Sequence, residues 1–153
     1  MYSMNYTDLL DKTLADRIPI IQVEGYNNLQ KLELSKMHLI PELLKNVHLK
    51  KEDIIFSDAA LNHIIIETNK MYDHTTRDKH GNSGVRKLKD VLNNAITKLN
   101  FLRNTVLDDG TYGELDISFA IKNFKLPFTV ETDHLYKLDA LTKTNDAPLD
   151  MYM

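Results

Sequence analysis

The 153-residue chain has no cysteine and no tryptophan, and only five glycines and four prolines. Without cysteine, disulfide bonds, zinc–thiolate centres and thiol catalysis are excluded, and a cytoplasmic setting is the natural expectation. No apolar run approaches the ~20 residues that span a bilayer, and the N-terminus lacks the pattern of a signal peptide, so no membrane partner is expected. Arginine is scarce too. Of nineteen Lys and Arg residues only Arg17, Arg77, Arg86 and Arg103 are Arg. Where lysine is used so freely, each guanidinium calls for a reason, because its planar fork does what an ammonium cannot.

What is present is ordinary for a folded chain: 42% hydrophobic residues, 27% charged and a net charge of −3. A chain of this size buries roughly 70% of its unfolded surface, enough for one core. The charge balance offers no excess of cations to hold a phosphate backbone, so nucleic acid is not expected as a partner.

Periodicity organises the sequence. Met1–Met4 reads as the end of an apolar strand, and Thr7 as the cap of a short helix with Leu9, Leu10 and Leu14 facing inward. Residues 18–23 (IPIIQV) read as a short buried strand ended by Gly25. From Asn27 a helix follows with Leu29, Leu32, Lys36, Leu39 or Ile40, Leu43 and Val47 inward, and Pro41 predicts a kink or a second helix starting there. Residues 54–56 read as a strand, and Ser57 as the cap of a helix with Leu61, Ile64, Ile65 and Thr68 on one side. Polar residues 73–83 predict an exposed loop with Ser83 as the next cap. Val85, Leu88, Leu92, Ala95, Ile96, Leu99 and Leu102 form the cleanest helical stripe. Alternation at Ile117, Phe119 and Ile121 and the run 128–130 suggest further strands. Thr132 or Asp133 caps a last helix through Leu141, and the remainder reads as a tail.

The segment GYNNLQKLELSKMHLIPELLKNVHLKKEDIIFSDAAL, residues 25–61, resembles the start of the lid subdomain of Lon-like AAA+ ATPases. It has the Gly-Tyr, the Lys-Leu helix running to Leu-Ile-Pro, and the strand leading into Ser-Asp-x-Ala-Leu, without a gap. Gly84-Val85-Arg86-Lys87-Leu88 is similar to the family's Gly-Val-Arg-x-Leu, and 128–135 to the strand and helix that complete the lid. Asn5 and Leu14-Ala15-Asp16-Arg17 resemble the sensor-1 and arginine-finger segments upstream.

The resemblance implies an α+β, mostly helical fold: the truncated end of an AAA+ α/β core over residues 1–24, the helical lid with short strands over 25–142, and a flexible tail over 143–153. It implies ATP as the ligand. Arg17 would be the arginine finger, reaching the γ-phosphate held by a neighbouring subunit, where a fixed cation stabilises spreading charge. Asn5 would be sensor 1, positioning the attacking water. Arg86 would be sensor 2, with Gly84 beside it, on phosphates of its own subunit at a helix start whose dipole also favours anions. A finger acting across an interface implies a homo-oligomeric ring, and the family suggests a protein substrate.

The chain departs from the family in two motifs. No G-x-x-x-x-G-K-[ST] loop occurs, nor the acidic motif that holds Mg²⁺. Both would lie before Met1, so this chain alone is not expected to hydrolyse ATP. The family's Ser-Lys peptidase domain would follow the lid, and no protease activity is expected here. The bland readings stand beside these. Arg17 could pair with Asp16 or a nearby carboxylate, Arg86 could be a surface cation, and Asn5 a turn residue. Asp73, His74, Asp78 and His80 fit a solvated loop better than a metal site. His38, His48, His63 and His134 are scattered. The rival functions are a stand-alone helical interaction module, indifferent to nucleotide, and a DNA-handling ATPase, which the charge balance disfavours.

Overall fold

The computed structural model describes residues 2–4, 10–73 and 84–141. Asn5, the Thr7 cap, residues 74–83 and the tail from 142 lie outside the described residues. Near the N-terminus a single-turn helix, α1 (Lys12–Ala15), is capped by Asp11, whose carboxylate accepts from the Thr13 N–H. Residues 18–27 then carry no regular structure.

The strand expected at 18–23 does not form. Ile20, Ile21 and Val23 are half to almost wholly exposed. A strand exists only where a neighbour takes its N–H and C=O groups, and Pro19 has no N–H to give. Among the described residues the sheet holds two other strands, β1 (Ile54–Phe56) and β2 (Phe128–Val130), and neither pairs with this segment. Residues 2–4, expected as a strand end, are likewise exposed and outside any ladder.

Asn27 starts the first long helical stretch by a reciprocal cap. Its Oδ1 accepts from the Gln30 N–H at 2.8 Å, while Gln30 Oε1 accepts from the Asn27 N–H at 2.9 Å. Helix α2 (Asn28–Leu34) runs into a π-helical turn, Ser35–Leu39, and then α3 (Ile40–Asn46) with Pro41 in its first turn. The break expected at Pro41 takes this form. Proline cannot donate back along the helix, and one wide turn, closed by the Ile40 N–H on the Ser35 carbonyl, shifts the ladder ahead of it. Leu39, Ile40 and Leu43 are buried as expected, and before them the buried face lies one position back from the expected Leu32 and Lys36. Lys31, Ser35, Leu39, Ile40, Leu43 and Leu44 are buried, whereas Leu29 and Lys36 are exposed.

Helix α3 ends in a Schellman motif. The Leu49 N–H returns to the Leu44 carbonyl at 2.9 Å and the His48 N–H to Lys45 at 3.1 Å, with His48 left-handed at φ 57°. Leu49 is buried beyond it. A left-handed residue with a Cβ costs about 1–2 kcal/mol, offset in part by the lower entropy of its unfolded state. His48→Gly should therefore stabilise the chain by roughly 0.5–1 kcal/mol and raise its melting temperature by about 1–3 °C. A variant that melts at or below the parent in calorimetry would refute this.

Ser57 caps α4 (Asp58–Asp73), its Oγ accepting from Ala60 N–H at 3.2 Å. Leu61, Ile64, Ile65 and Thr68 are buried as the stripe predicts. Helix α5 (Arg86–Thr105) buries Leu88, Leu92, Ala95, Ile96, Leu99 and Leu102 against α3 and α4. Strand β2 pairs parallel with β1, Ile55 opposite Thr129. Parallel neighbours need a long crossover, and here α4 and α5 supply it.

No strand forms at 117–121. The Tyr112 hydroxyl donates to the Ile121 carbonyl at 2.6 Å, and Ala120 N–H turns back to Ile117. The alternation there marks which side chains pack on the core, not a ladder. The last helix, α6 (Thr132–Lys137), is capped by Glu131 and stops short of Leu141, because Asp139 takes a left-handed φ of 50°. The mostly helical α+β class stands.

Candidate functional site

Arg86 is the first residue of the 20-residue α5. Val85 precedes it as cap, with φ −90° and ψ 1°, and its side chain makes no capping bond. The first N–H groups of a helix have no partner within it, and the positive end of the helix dipole lies there. Arg86 and Lys87 are exposed there. Gly84 is exposed, and a Cβ on it would meet nothing within 4 Å. Its backbone is therefore open to approach, and neither a positive φ nor a clash makes glycine obligatory.

Arg17 stands in the turn after α1, its N–H bonded to the Leu14 carbonyl at 3.1 Å, with its side chain exposed. Ion pairs among the described residues join Lys36 to Asp58, Lys70 to Glu67 and Lys89 to Glu42. Neither Arg17 nor Arg86 takes part, so the pairing of Arg17 with Asp16 does not occur. No hydrogen bond among the described residues brings Arg17 and Arg86 together. Asn5 lies outside the described residues. Of the metal cluster drawn from Asp73, His74, Asp78 and His80, all but Asp73 lie outside them as well, and among the described residues no group of three or more His, Asp or Glu could hold a metal.

The supports behind this end of the molecule are apolar and ionic. Glu42 on α3 accepts from Lys89 on α5 at 2.9 Å, one turn beyond Arg86. Leu88 and Leu92 seat the helix in the core. Lys98, further along α5, donates to the Leu138 carbonyl at 2.6 Å and lies 5.3 Å from the centre of the Phe119 ring.

Two deeply held polar residues, Lys31 and Ser35, escaped the sequence reading. Lys31 is 1% exposed, and its Nζ donates to Asn69 Oδ1 at 2.7 Å. Burial pushes its ammonium pKa down from the ordinary lysine value. The signal was available: stepping back by fours from Leu43 and Leu39 reaches Ser35 and Lys31, but a search for apolar residues passes over both.

Part of the chain is similar to known proteins. The chain is 39% identical over 90 residues to Lon protease 2 of Borreliella burgdorferi, which is 59% of this chain and 10% of that protein. It is 33% identical over 94 residues to the Lon protease of Mycoplasma genitalium, 61% of this chain and 10% of the relative. It is 32% identical over 94 residues to the mitochondrial Lon protease homolog of Candida albicans, 61% of this chain and 8% of the relative. The chain carries a Lon-like AAA+ region. The matched stretches make up about a tenth of each of these curated relatives. No protein-family model matches the chain, and no solved structure does. Within the described part of this Lon-like region, no helix is long and apolar enough to cross a membrane.

Proposed function

We propose that this Lon-like region senses and transmits nucleotide state in an ATP-driven homo-oligomer. Residues 25–142 serve as the lid of an AAA+ module, and 1–24 as the end of its core. Arg86, with Gly84 before it, contacts the phosphates of ATP in its own subunit. Arg17 reaches the nucleotide of the neighbouring subunit, and Asn5 positions the attacking water. Mg²⁺ and the phosphate loop belong to residues upstream of this stretch, and a protein substrate is engaged elsewhere in the assembly. The proposal assigns nucleotide sensing, not peptide cleavage, to these residues.

One observation carries the reading. In a region similar to Lon proteases, the arginine of a Gly-Val-Arg motif opens a 20-residue helix, exposed and without an ion-pair partner among the described residues. An exposed cation at a helix start, where the helix dipole is positive, suits an anion. The test is ATP affinity in the longest polypeptide encoded by the reading frame. A hydrogen bond to a charged group is worth about 1.5–3 kcal/mol, so Arg86→Ala should weaken ATP binding about 10- to 100-fold. Melting without nucleotide should stay put, because the side chain is exposed. Equal affinity in parent and variant would discard the assignment. The alternative, a nucleotide-indifferent interaction module, is favoured by the exposed apolar residues Ile20, Ile21, Val23 and Leu29. It predicts no ATP binding in the parent either.

A further inference from the structure

Two surfaces of opposite charge stand open to solvent on this chain. The first is a groove of about 720 Å³ between α3 and the turn that follows it. Two backbone features shape it. Met37 and His38 sit on the π-helical turn, a feature frequent at functional sites, and the left-handed His48 turns the chain so that residues 49–52 join the lining. Met37, Pro41 and Leu49 make part of that lining apolar, and Met37 is 70% exposed. The rest is mostly cationic. Lys45, Lys50 and Lys51 are exposed there and enter no ion pair among the described residues. Of the lining carboxylates Glu42 is already paired with Lys89, which leaves only Glu52 against these ammonium groups.

The second surface is the loop after α5, residues 107–116 (LDDGTYGELD). Asp108, Asp109, Glu114 and Asp116 are exposed, no cation stands among them, and they too enter no ion pair among the described residues. Leu107 and Leu115 are also exposed, Leu115 by 57%. The loop is held in shape. Leu107 N–H donates to the Thr111 carbonyl at 2.8 Å, Asp109 Oδ1 accepts from the Thr111 N–H and hydroxyl, and the Tyr112 hydroxyl donates to the Ile121 carbonyl. A formed loop loses little conformational freedom on docking. Either surface alone would be a solvated face. Together they match, because each presents the charge the other lacks and each leaves bulky apolar groups in water.

We infer that the groove between α3 and residues 49–52 binds loop 107–116 of a second copy of this chain. The lysines face the carboxylates of the loop, and Met37 takes its leucines. Groove and loop are different patches, so the contact runs head to tail and can repeat around a ring. It names a contact within the homo-oligomer proposed above, and rests on that reading for the choice of a second copy.

Sedimentation velocity of the full chain without nucleotide tests it. Contacts between exposed charges are individually weak, so concentrations up to ~1 mM at low salt are needed. The parent should sediment faster as its concentration rises, and about 0.5 M salt should remove most of that effect by screening. Lys50→Glu with Lys51→Glu, and separately Glu114→Lys with Asp116→Lys, should each weaken self-association about tenfold or more, since attraction becomes repulsion. All four positions are exposed, so the fold should persist. Lys12→Glu with Lys137→Glu makes the same change of net charge on neither surface and should associate like the parent. An equimolar mixture of the groove and loop variants should regain association, because each then meets a surface of opposite sign. Equal association of parent and both variants, a loss as large in the Lys12 and Lys137 control, or a mixture no better than either variant would overturn the inference. So would a parent that stays monomeric throughout, which would leave the groove to an acidic segment of another protein. The oligomer reading is judged separately, by ATP hydrolysis in mixed Arg17→Ala and Arg86→Ala subunits.

Discussion

Leu92→Ala should destabilise the chain by about 2–5 kcal/mol, the range for deleting a wholly buried leucine side chain. Leu92 is 0% exposed at the middle of α5. Leu88 and Ile96, one turn away on either side, are buried with it, and α3 and α4 pack across the same face. Neighbours anchored in three helices cannot all collapse inward, so most of the cavity would persist, placing the cost toward the upper part of the range. For a domain of this size each kcal/mol moves melting by about 2–4 °C, and the expected drop is roughly 5–20 °C. Asn93→Ala, one residue along and exposed, is the control and should stay within ~0.5 kcal/mol of the parent. Thermal or urea unfolding of the two variants decides it. Similar midpoints would mean that α5 is not the helix on which the core is built.

That helix was also the most legible part of the sequence. Its stripe repeats at three- and four-residue spacing for five turns, and all seven residues named for it are buried or half-buried. Ser57 could be read as a cap because a hydroxyl before an apolar-periodic run has one efficient use, and residues 54–56 and 128–130 as strands because bulky runs bounded by turns have few alternatives. The failures share a cause. A strand is defined by its partner, and nothing in residues 18–23 says whether one is at hand. Alternation at 117–121 records burial, which a turn around Tyr112 produces as readily as a ladder. The face of α2 was misplaced because Lys31 and Ser35 are polar, and polar residues carry no weight in a hydrophobic stripe although both are buried.

The candidate site was legible in a different way. Arg86 is exposed at the start of α5, as the motif order required, yet no feature of periodicity pointed to it. Scarcity of arginine did, together with the resemblance of the flanking residues. Geometry then adds what sequence could not: Arg17 and Arg86 are each exposed, and neither takes part in an ion pair among the described residues. Two cations serving one phosphate group within one subunit would be expected to converge, whereas cations serving two different nucleotides need not.

The assignment of Arg17 and Arg86 to different nucleotides leads to the prediction with the largest functional effect. In an assembled ATPase carrying this region, Arg17→Ala should lower the hydrolysis rate by about 10³- to 10⁵-fold, the range for losing an arginine finger. ATP affinity should change far less, since a finger acts on charge that develops as the bond breaks. Arg17→Lys should recover little, because a point charge cannot bridge two oxygens as a planar fork does. Mixing then tests whether the residue acts across an interface. A subunit with Arg17→Ala keeps its own Arg86, and one with Arg86→Ala keeps its finger. Where the second presents its finger to the first, one complete site is rebuilt. A mixture of the two inactive variants should thus hydrolyse ATP well above the mean of either alone. Activity equal to that mean would show that Arg17 acts within its own subunit or not at all, and the head-to-tail reading of this region would have to be given up.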